Sequence, residues 1–541
     1  MGILLQYLRE GTIINTTNPA QVPRNKFGGI YKGGMDALEK ILMMVEVSRK
    51  QDYIFSSKKL RENAARSGEI AHVTSGAFFR DAAGALYQEQ ENLVYSGGGH
   101  TVLQFQNKEQ AVLFARKVTE AALRRYDGME LFVKCLPYDG GKTPGENLKD
   151  LSAALERKKA LRKASFRYTS FGVEALDSES FQPLSTQEPV PGRAPDILPA
   201  PEGWRYPTQF SDLVGEDNFL AVVHIDGNAM GKRVENLYQT KTASWEECRA
   251  SLQRFSVGIQ VDFEQAFLET VATVMERKAE LQPPMLPIRP VILAGDDVCF
   301  VTAGSIGLEC ARVFLEKLSG KTNQEDAQPY AACAGVALVH QKFPFHQAYD
   351  LAEELCSSAK KFGAELDGEG RVSAMDWHIE FGQLKDSLSD LREDYETEDG
   401  NRLELRPVVV TAPQGVDLSS ARGVRTWDFF RSLCQAMRGE YGKIARSKIK
   451  QLRTAFKQGK VESKFYLQEK QIRDLLYHAF YARYQTAEER MDQYRAWQGT
   501  GRADGKITED GFLKFDETER CLFFDAIELM DNCEFFQEVR A

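Results

Sequence analysis

The sequence predicts an α+β protein in which one ferredoxin-like unit occurs twice and is followed by a mainly helical C-terminal domain. Each half of the chain begins with an apolar strand and later repeats a strand, a glycine-containing turn, a strand, a helix and a final strand. This order of elements is typical of ferredoxin-like folds. After about residue 427 the apolar residues recur mainly at helical spacing, which predicts the C-terminal domain.

The first unit is predicted from four segments. Residues 41–47 form an apolar strand, and residues 93–103 form a strand, a tight Ser-Gly-Gly-Gly turn and a second strand. A helical pattern over residues 109–126 follows, and residues 129–136 form the last strand. The sequence therefore predicts a complete four-stranded unit in the first half.

The second unit has the same plan. Residues 219–225 are an apolar strand that runs into a turn and a helix, and residues 291–301 are a hairpin. A helix over residues 307–318 and a strand over residues 330–339 complete the unit. About 35 residues separate the glycine turn from the final strand in both halves, which indicates an internal duplication.

Four regions are predicted along the chain: a first unit over 1–175, a connector over 176–212, a second unit over 213–395 and a helical domain over 396–541. Seven of the 19 prolines lie in the connector, where hydrophobic periodicity disappears. A chain of 541 residues is too long for one core.

Composition predicts a soluble cytoplasmic protein with no membrane contact. The chain is 43% hydrophobic and 27% charged, and no apolar run approaches the roughly 18 residues of a membrane helix. Its nine cysteines are scattered without a C-x-x-C pair, so neither disulfides nor a zinc ribbon is expected. The net charge of −9 argues against a surface that is covered by nucleic acid.

Three acids are the candidate catalytic and metal-binding residues: Asp226 at the end of an apolar strand, and Asp296 with Asp297 at the tip of the second-half hairpin. If the strands are neighbours, the carboxylates meet at one sheet edge and repel one another unless cations neutralise them. Mg²⁺ takes one or two carboxylates together with phosphate oxygens, so we expect two Mg²⁺ or Mn²⁺ ions with a nucleoside triphosphate. The alternative is that Gly-Asp-Asp is only a surface turn.

Glycine-rich backbone beside the acids is the candidate nucleotide-binding region. A turn into a helix leaves amide groups free to approach phosphates at the positive end of the helix. The predicted nucleotide-binding residues in these turns are Gly227, Asn228, Gly231, Lys232 and Gly295.

These motifs resemble the second Palm domain of the large subunit of type III CRISPR effector complexes, a domain related to GGDEF cyclases. The resemblance lies in residues 223–231 and 293–297, and more weakly in residues 47–62, 96–99 and 351–360 and the helical tail. It implies two Palm domains, the first of them degenerate, and a helix whose Lys360 reaches the triphosphate.

The resemblance implies a nucleotidyltransferase that joins ATP, or another nucleoside triphosphate, into a cyclic oligonucleotide second messenger in prokaryotic antiviral defence. It also implies RNA or a CRISPR-type protein complex as activator, and leaves a homo-oligomer open. Two alternatives remain: a catalytically silent Palm scaffold that binds nucleotide or RNA, and a cyclic-dinucleotide synthase of GGDEF type.

The sequence departs from the family pattern in several places. Ala294 replaces the first glycine of the Gly-Gly-Asp-Asp motif, no histidine precedes an aspartate as an HD nuclease requires, and no zinc-binding segment is found. Gly98 and Gly99 are predicted to lie where Asp296 and Asp297 lie in the second unit, so the first unit is not expected to hold metal there. A basic amphipathic helix is predicted over 443–457, with a solvated or an anion-binding outer face.

Overall fold

The computed structural model describes residues 40–126, 128–161, 197–214, 218–241, 244–277, 285–382, 387–416, 418, 424–438, 445–470, 472, 510–515 and 518–536. The N-terminal 39 residues, most of the proline-rich connector, Lys443 and most of the predicted tail helices lie outside these ranges. Among the described helices, none combines the length and the apolar composition that crossing a membrane requires.

The described strands are β1 (Ile41–Ser48), β2 (Leu93–Gly97), β3 (His100–Phe105), β4 (Glu130–Pro137), β5 (Phe219–Gly227), β6 (Ile288–Ala294), β7 (Asp297–Ala303), β8 (Thr322–Asn323), β9 (Gln328–Pro329), β10 (Ala332–His340), β11 (Ser373–Glu380), β12 (Val408–Thr411), β13 (Phe512–Phe515) and β14 (Thr518–Cys521).

The described α-helices are α1 (Lys50–Ile54), α2 (Leu60–Val73), α3 (Gly76–Ala83), α4 (Glu89–Asn92), α5 (Lys108–Arg125), α6 (Pro144–Ala160), α7 (Met230–Lys241), α8 (Trp245–Arg277), α9 (Gly307–Ser319), α10 (Phe345–Leu366), α11 (Leu388–Glu393), α12 (Trp427–Met437), α13 (Arg446–Gln458), α14 (Lys460–Glu469) and α15 (Phe524–Leu529).

The first sheet has the antiparallel order β2-β3-β1-β4. Leu42, Met44 and Val102 on one face pack against Leu151 of helix α6 and Leu252 of helix α8, and all five side chains are buried. The predicted α+β fold is confirmed here, because an apolar strand face is covered by amphipathic helices.

The second sheet has the order β12-β11-β10-β5-β7-β6. Its strands β10, β5, β7 and β6 repeat the order of β4, β1, β3 and β2 in the first sheet, with the same antiparallel pairings. The two halves therefore have one ferredoxin-like topology, as the sequence predicts. Strand β11 runs parallel to β10, and β12 extends the sheet beyond residue 395.

The strand register corrects the predicted equivalence between the two hairpins by one residue. Gly97 pairs with His100 across the first turn, whereas Ala294 pairs with Asp297 across the second. His100 therefore corresponds to Asp297, and Gly98 with Gly99 corresponds to Gly295 with Asp296. The prediction was wrong because it aligned the glycines with the acids instead of aligning the pairs that close each turn.

The chain divides into two compact units that are interleaved along the sequence. Described residues within 1–57, 65–196 and 231–257 form one unit, and described residues within 58–64, 197–230 and 258–541 form the other. Helices α2 and α8 each contribute to both units. The exact limits of the four predicted regions remain predictions.

The C-terminal part of the second unit mixes helices with a hairpin of β13 and β14. Ile449, Leu452 and Phe456 on helix α13 are fully buried, as the amphipathic pattern predicts. On its outer face, Arg446 and Lys450 form ion pairs with Asp531. This basic face is thus partly engaged within the protein.

Candidate active site at the end of strand β5

Strand register brings two of the predicted acids together. Asp226 of β5 lies directly opposite Asp297 of β7, so both side chains leave the same face of the sheet. Their side chains are 40% and 45% exposed, respectively. Like charges at opposed positions destabilise a sheet, so this pair carries an electrostatic cost that a bound cation would offset.

The hairpin tip places Asp296 beside the end of β5. The Gly227 N–H donates to the Asp296 carbonyl at 3.1 Å. A Cβ on Gly227 would lie 2.9 Å from the Asp296 Cβ and 2.8 Å from the Met230 Cε, so only glycine fits this approach. Gly295 has φ 70°, and its N–H donates to the Gln260 Oε1 of helix α8 at 2.7 Å. The turn is therefore held from two sides.

Negative charge accumulates at this edge. Burial raises the pKa of Asp296 to about 6, and the neighbouring charges of Asp226 and Asp297 act in the same direction. The Lys360 ammonium opposes the shift only in part. A cation at this edge would therefore relieve a repulsion that the ligand-free protein contains.

Lys360 reaches the same edge from helix α10. Its Nζ donates to the Asp226 Oδ2 in a short ion pair and to the Gly227 carbonyl at 3.0 Å. The helix can come so close because Gly335 of β10 has no side chain. A Cβ at this position would lie only 1.9 Å from the Ala352 carbonyl oxygen of the helix. The lysine that was predicted to reach the triphosphate therefore lies at the acids.

The turn that follows Asp226 is anchored at Asn228. The Asn228 N–H donates to the Ala331 carbonyl at 2.9 Å, and its Nδ2 donates to the Val372 carbonyl at 2.8 Å. Ala229 then takes φ 56°, which is costly for a residue with a Cβ. Gly231 and Lys232 lie in the first turn of helix α7 and cluster with the other compact unit.

Two residues near the acids were not selected from the sequence. Gln260 holds the hairpin tip, and nothing in its local helical pattern distinguishes it. The other residue is His224 of strand β5. Its buried Nδ1 lies 3.7 Å from the Asp297 Oδ1, and burial lowers the pKa of the imidazole. Its strand position, two residues before Asp226, is the signal that places it on the acid-bearing face.

The donor set fits Mg²⁺ or Mn²⁺ in the presence of a nucleotide. Among the described residues, no group of three His, Cys, Asp or Glu side chains forms a metal-binding cluster by itself. Mg²⁺ usually keeps waters and substrate phosphate oxygens next to one or two carboxylates, so a complete protein cage is not needed. The opposition of Asp226 and Asp297, with Asp296 at the adjoining hairpin tip, is the observation that favours such a cation.

Comparison with known proteins identifies this region. Residues 219–366 match the family model of the Cas10/Cmr2 second palm domain. This segment contains the acids, the hairpin and helix α10 with Lys360. No curated protein sequence matches the chain.

Solved structures of Csm1 share the fold. The crystal structure of Csm1 in T. onnurineus matches with TM-score 0.51 and 15% identity, covering 86% of this chain and 70% of that chain. A Csm1–Csm4 cassette in complex with pppApApA matches with TM-score 0.48 and 13% identity, covering 91% of this chain and 69% of that chain. The cassette in complex with cA3 matches with TM-score 0.44 and 16% identity, covering 62% of this chain and 54% of that chain. This chain therefore spans about half the length of that relative.

The acid-bearing hairpin lies on a sheet with ferredoxin-like topology, the arrangement that the sequence predicts for a palm domain. Residues 219–366 belong to the Cas10/Cmr2 second palm family. The predicted resemblance to the palm-domain large subunit of type III CRISPR effector complexes is thereby confirmed.

Proposed function

We propose that the palm domain of residues 219–366 joins ATP into a cyclic oligonucleotide by metal-dependent nucleotidyl transfer. The observation that carries the proposal is the direct opposition of Asp226 and Asp297, with Asp296 at the adjoining hairpin tip. ATP is proposed because the family resemblance implies it, and the match over residues 219–366 supports that family.

Asp226, Asp296 and Asp297 are the residues that would hold Mg²⁺ or Mn²⁺. Bound there, such ions would favour deprotonation of an attacking ribose hydroxyl and offset the charge of the departing pyrophosphate. Gly227 keeps the edge of the sheet open because it adds no side chain next to Asp296. Gln260 fixes the backbone at Gly295, so the tip acids need little reorganisation when substrate binds.

Phosphate binding is assigned to Lys360 and to the turn between β5 and helix α7. Lys360 extends from a helix that packs directly on the sheet, so its ammonium can move while its backbone stays fixed. Gly227, Asn228, Gly231, Lys232 and Gly295 are the proposed nucleotide-binding residues of the turns. The N–H groups at the start of α7 would favour anionic oxygens.

We further propose that the chain acts inside an RNA-guided protein complex. The resemblance implies this context, and several similar Csm1 chains are described as Csm1–Csm4 cassettes. Robust product from the isolated chain, unaffected by RNA or protein, would contradict control by an activator.

The direct test is incubation of the purified full chain with each nucleoside triphosphate and either Mg²⁺ or Mn²⁺. Products are then identified by mass spectrometry, with and without RNA and candidate partner proteins. The proposal predicts cyclic oligoadenylate that requires metal. A product made from another nucleotide would correct the substrate but keep the reaction class.

A silent scaffold that binds nucleotide is the second candidate. The observations that favour it are the Lys360 ion pair on Asp226 and the presence of Ala294 in place of the family's glycine. This candidate predicts metal-dependent ATP binding without product under every activating condition. The two candidates thus differ in product formation but not in binding.

A further inference from the structure

The ion pair between Lys360 and Asp226 has a counterpart in the first compact unit. There, the Lys159 Nζ of helix α6 lies 3.0 Å from the Glu46 Oε1 of strand β1. Glu46 pairs with His100 in the register in which Asp226 pairs with Asp297. By position in the repeat, Glu46 is therefore the equivalent of Asp226.

The two lysines also occupy the same position in equivalent helices. Helix α6 follows β4 and helix α10 follows β10, and these two strands occupy the same position in their sheets. Lys159 and Lys360 are both the sixteenth residue of the helix, counted from Pro144 and from Phe345. A lysine that crosses from this helix to the acid of the first strand is thus a feature of the repeated unit and not a chance contact of one site.

The surroundings of the two pairs differ in a way that affects exchange. Lys159 and Glu46 have side chains only 16% and 19% exposed, whereas those of Lys360 and Asp226 are 31% and 40% exposed. His100 stands opposite Glu46. Burial, together with the charge of Lys50, lowers the pKa of His100 to about 4, so its imidazole is uncharged at neutral pH. Opposite Asp226 stands the carboxylate Asp297.

We infer that Lys360 is a displaceable counter-ion of the acid cluster, which keeps divalent metal from Asp226 until a nucleoside triphosphate draws the lysine to its phosphates. In the first unit the equivalent Lys159 is paired with Glu46 and also with Glu156 of its own helix, and the strand position opposite Glu46 holds no second acid. This inference rests on the proposed function, because it concerns the metal and nucleotide of that site.

The charge balance explains why the exchange needs a nucleotide. A dication and the Lys360 ammonium compete for the same Asp226 oxygen, and an ammonium left without a partner near a dication is unfavourable. A triphosphate supplies new anionic oxygens within reach of the flexible lysine stem while it supplies ligands to the metal. Because linkage is reciprocal, nucleotide must tighten metal binding by the factor by which metal tightens nucleotide binding.

The test measures Mn²⁺ binding to the full chain by electron paramagnetic resonance of the free ion. It is done without nucleotide and with an ATP analogue that carries a methylene bridge between the α- and β-phosphates. Wild type is expected to bind Mn²⁺ weakly alone and about tenfold or more tightly with the analogue. Lys360→Gln is expected to bind Mn²⁺ alone about tenfold more tightly than wild type and to lose most of the enhancement.

Lys159→Gln is the matched control, because it removes the equivalent lysine from the unit that lacks the acid pair. It is expected to leave Mn²⁺ affinity unchanged. Lys360→Arg keeps the positive charge and is expected to resemble wild type without nucleotide, which protects the test against a folding defect in Lys360→Gln. Equal Mn²⁺ affinity of wild type and Lys360→Gln without nucleotide would overturn the inference.

The outcome separates this inference from the proposed function. If Lys360→Gln gains Mn²⁺ affinity but no condition yields product, the counter-ion role stands and catalysis fails. If wild type makes product and the variant shows no gain, the proposed function stands and the counter-ion role fails.

Discussion

Asp226 and Asp297 face each other across neighbouring antiparallel strands, in a position where one carboxylate would ordinarily be matched by a neutral or basic residue. The first unit shows the ordinary arrangement, because its equivalent pair is Glu46 and His100. The acid pair is therefore specific to one copy of the repeat. The proposed cation site rests on this acid pair of the second unit.

Gly227→Ala is predicted to destabilise the protein by about 1–3 kcal/mol, the usual range for overpacking, and to abolish metal-dependent nucleotide binding. The added Cβ would push the Asp296 tip away from β5, since it would lie 2.9 Å from the Asp296 Cβ. Gly231→Ala is the control for stability, because its Cβ would enter open space. Thermal unfolding of both variants checks this, and equal melting temperatures would contradict the close approach.

Asp296→Asn is predicted to stabilise the metal-free protein at pH 7–8 by about 1–3 kcal/mol. Burial and the other acids raise the folded-state pKa of Asp296 to about 6, from 3.8. Between these two pKa values the folded protein therefore binds more protons than the unfolded chain. The free energy of unfolding of the wild type consequently falls as the pH rises from about 4 to about 6. The advantage of asparagine should disappear below pH 4.

Urea unfolding in a chelator at several pH values measures this difference. A Gly-Asp-Asp turn with a purely structural role would give the opposite sign at pH 8, with the asparagine variant less stable than wild type. Asp226→Ala is not expected to stabilise, because Asp226 has Lys360 as a partner.

Gln260→Leu is predicted to lower the stability of the hairpin tip by about 1 kcal/mol and to reduce catalysis about tenfold or more. The Gln260 Oε1 accepts from the Gly295 N–H at 2.7 Å, and leucine leaves that donor unpaired. Gln265→Leu on the same helix is the matched control, because Gln265 is exposed and its Nε2 donates to the Glu269 Oε1 one turn further along the helix. Product formation that is equally reduced in both variants would argue against a role for the tip.

Arg406→Met is predicted to destabilise the second unit by about 3–5 kcal/mol, as loss of one partner from a buried ion pair does. Arg406 is 1% exposed and lies 2.5 Å from the Asp525 Oδ1, and the Leu405 N–H donates to the same carboxylate at 2.8 Å. Arg446→Met removes a pair whose arginine is 71% exposed and should cost about 0–1 kcal/mol. Similar melting temperatures for the two variants would contradict the structural role of Arg406.

Sequence patterns predicted the duplicated sheets well, since apolar strands around glycine turns leave a local signal. They did not predict strand β11, which is buried along its whole length but carries Asp376, His378 and Glu380. Burial of Asp376 is possible because the Ser358 hydroxyl donates to it at 2.7 Å and Arg392 donates to it at 2.7 Å. Such compensation by distant segments is invisible in a local pattern.

In the candidate site, too, some residues have a local sequence signal and others depend on distant segments of the chain. The three acids and Lys360 could be selected because they end strands or match a family motif. Gln260 could not, because its role depends on where a 33-residue helix passes the hairpin tip. The predicted equivalence of Gly98 and Gly99 with Asp296 and Asp297 was wrong by one residue because it rested on the residue types of the two turns. The residues that pair across each turn define the equivalent positions.

The central claim is that Asp226, Asp296 and Asp297 form one metal-dependent nucleotidyl-transfer site. Its most direct test measures ATP conversion and the melting shift induced by Mg²⁺–ATP in wild type, Asp226→Ala and Asp296→Ala. Both variants should stay folded, lose the Mg²⁺–ATP shift and lose product by orders of magnitude, because the attacking oxygen loses its alignment. If both variants show the wild-type shift and the wild-type product, the metal site is wrong.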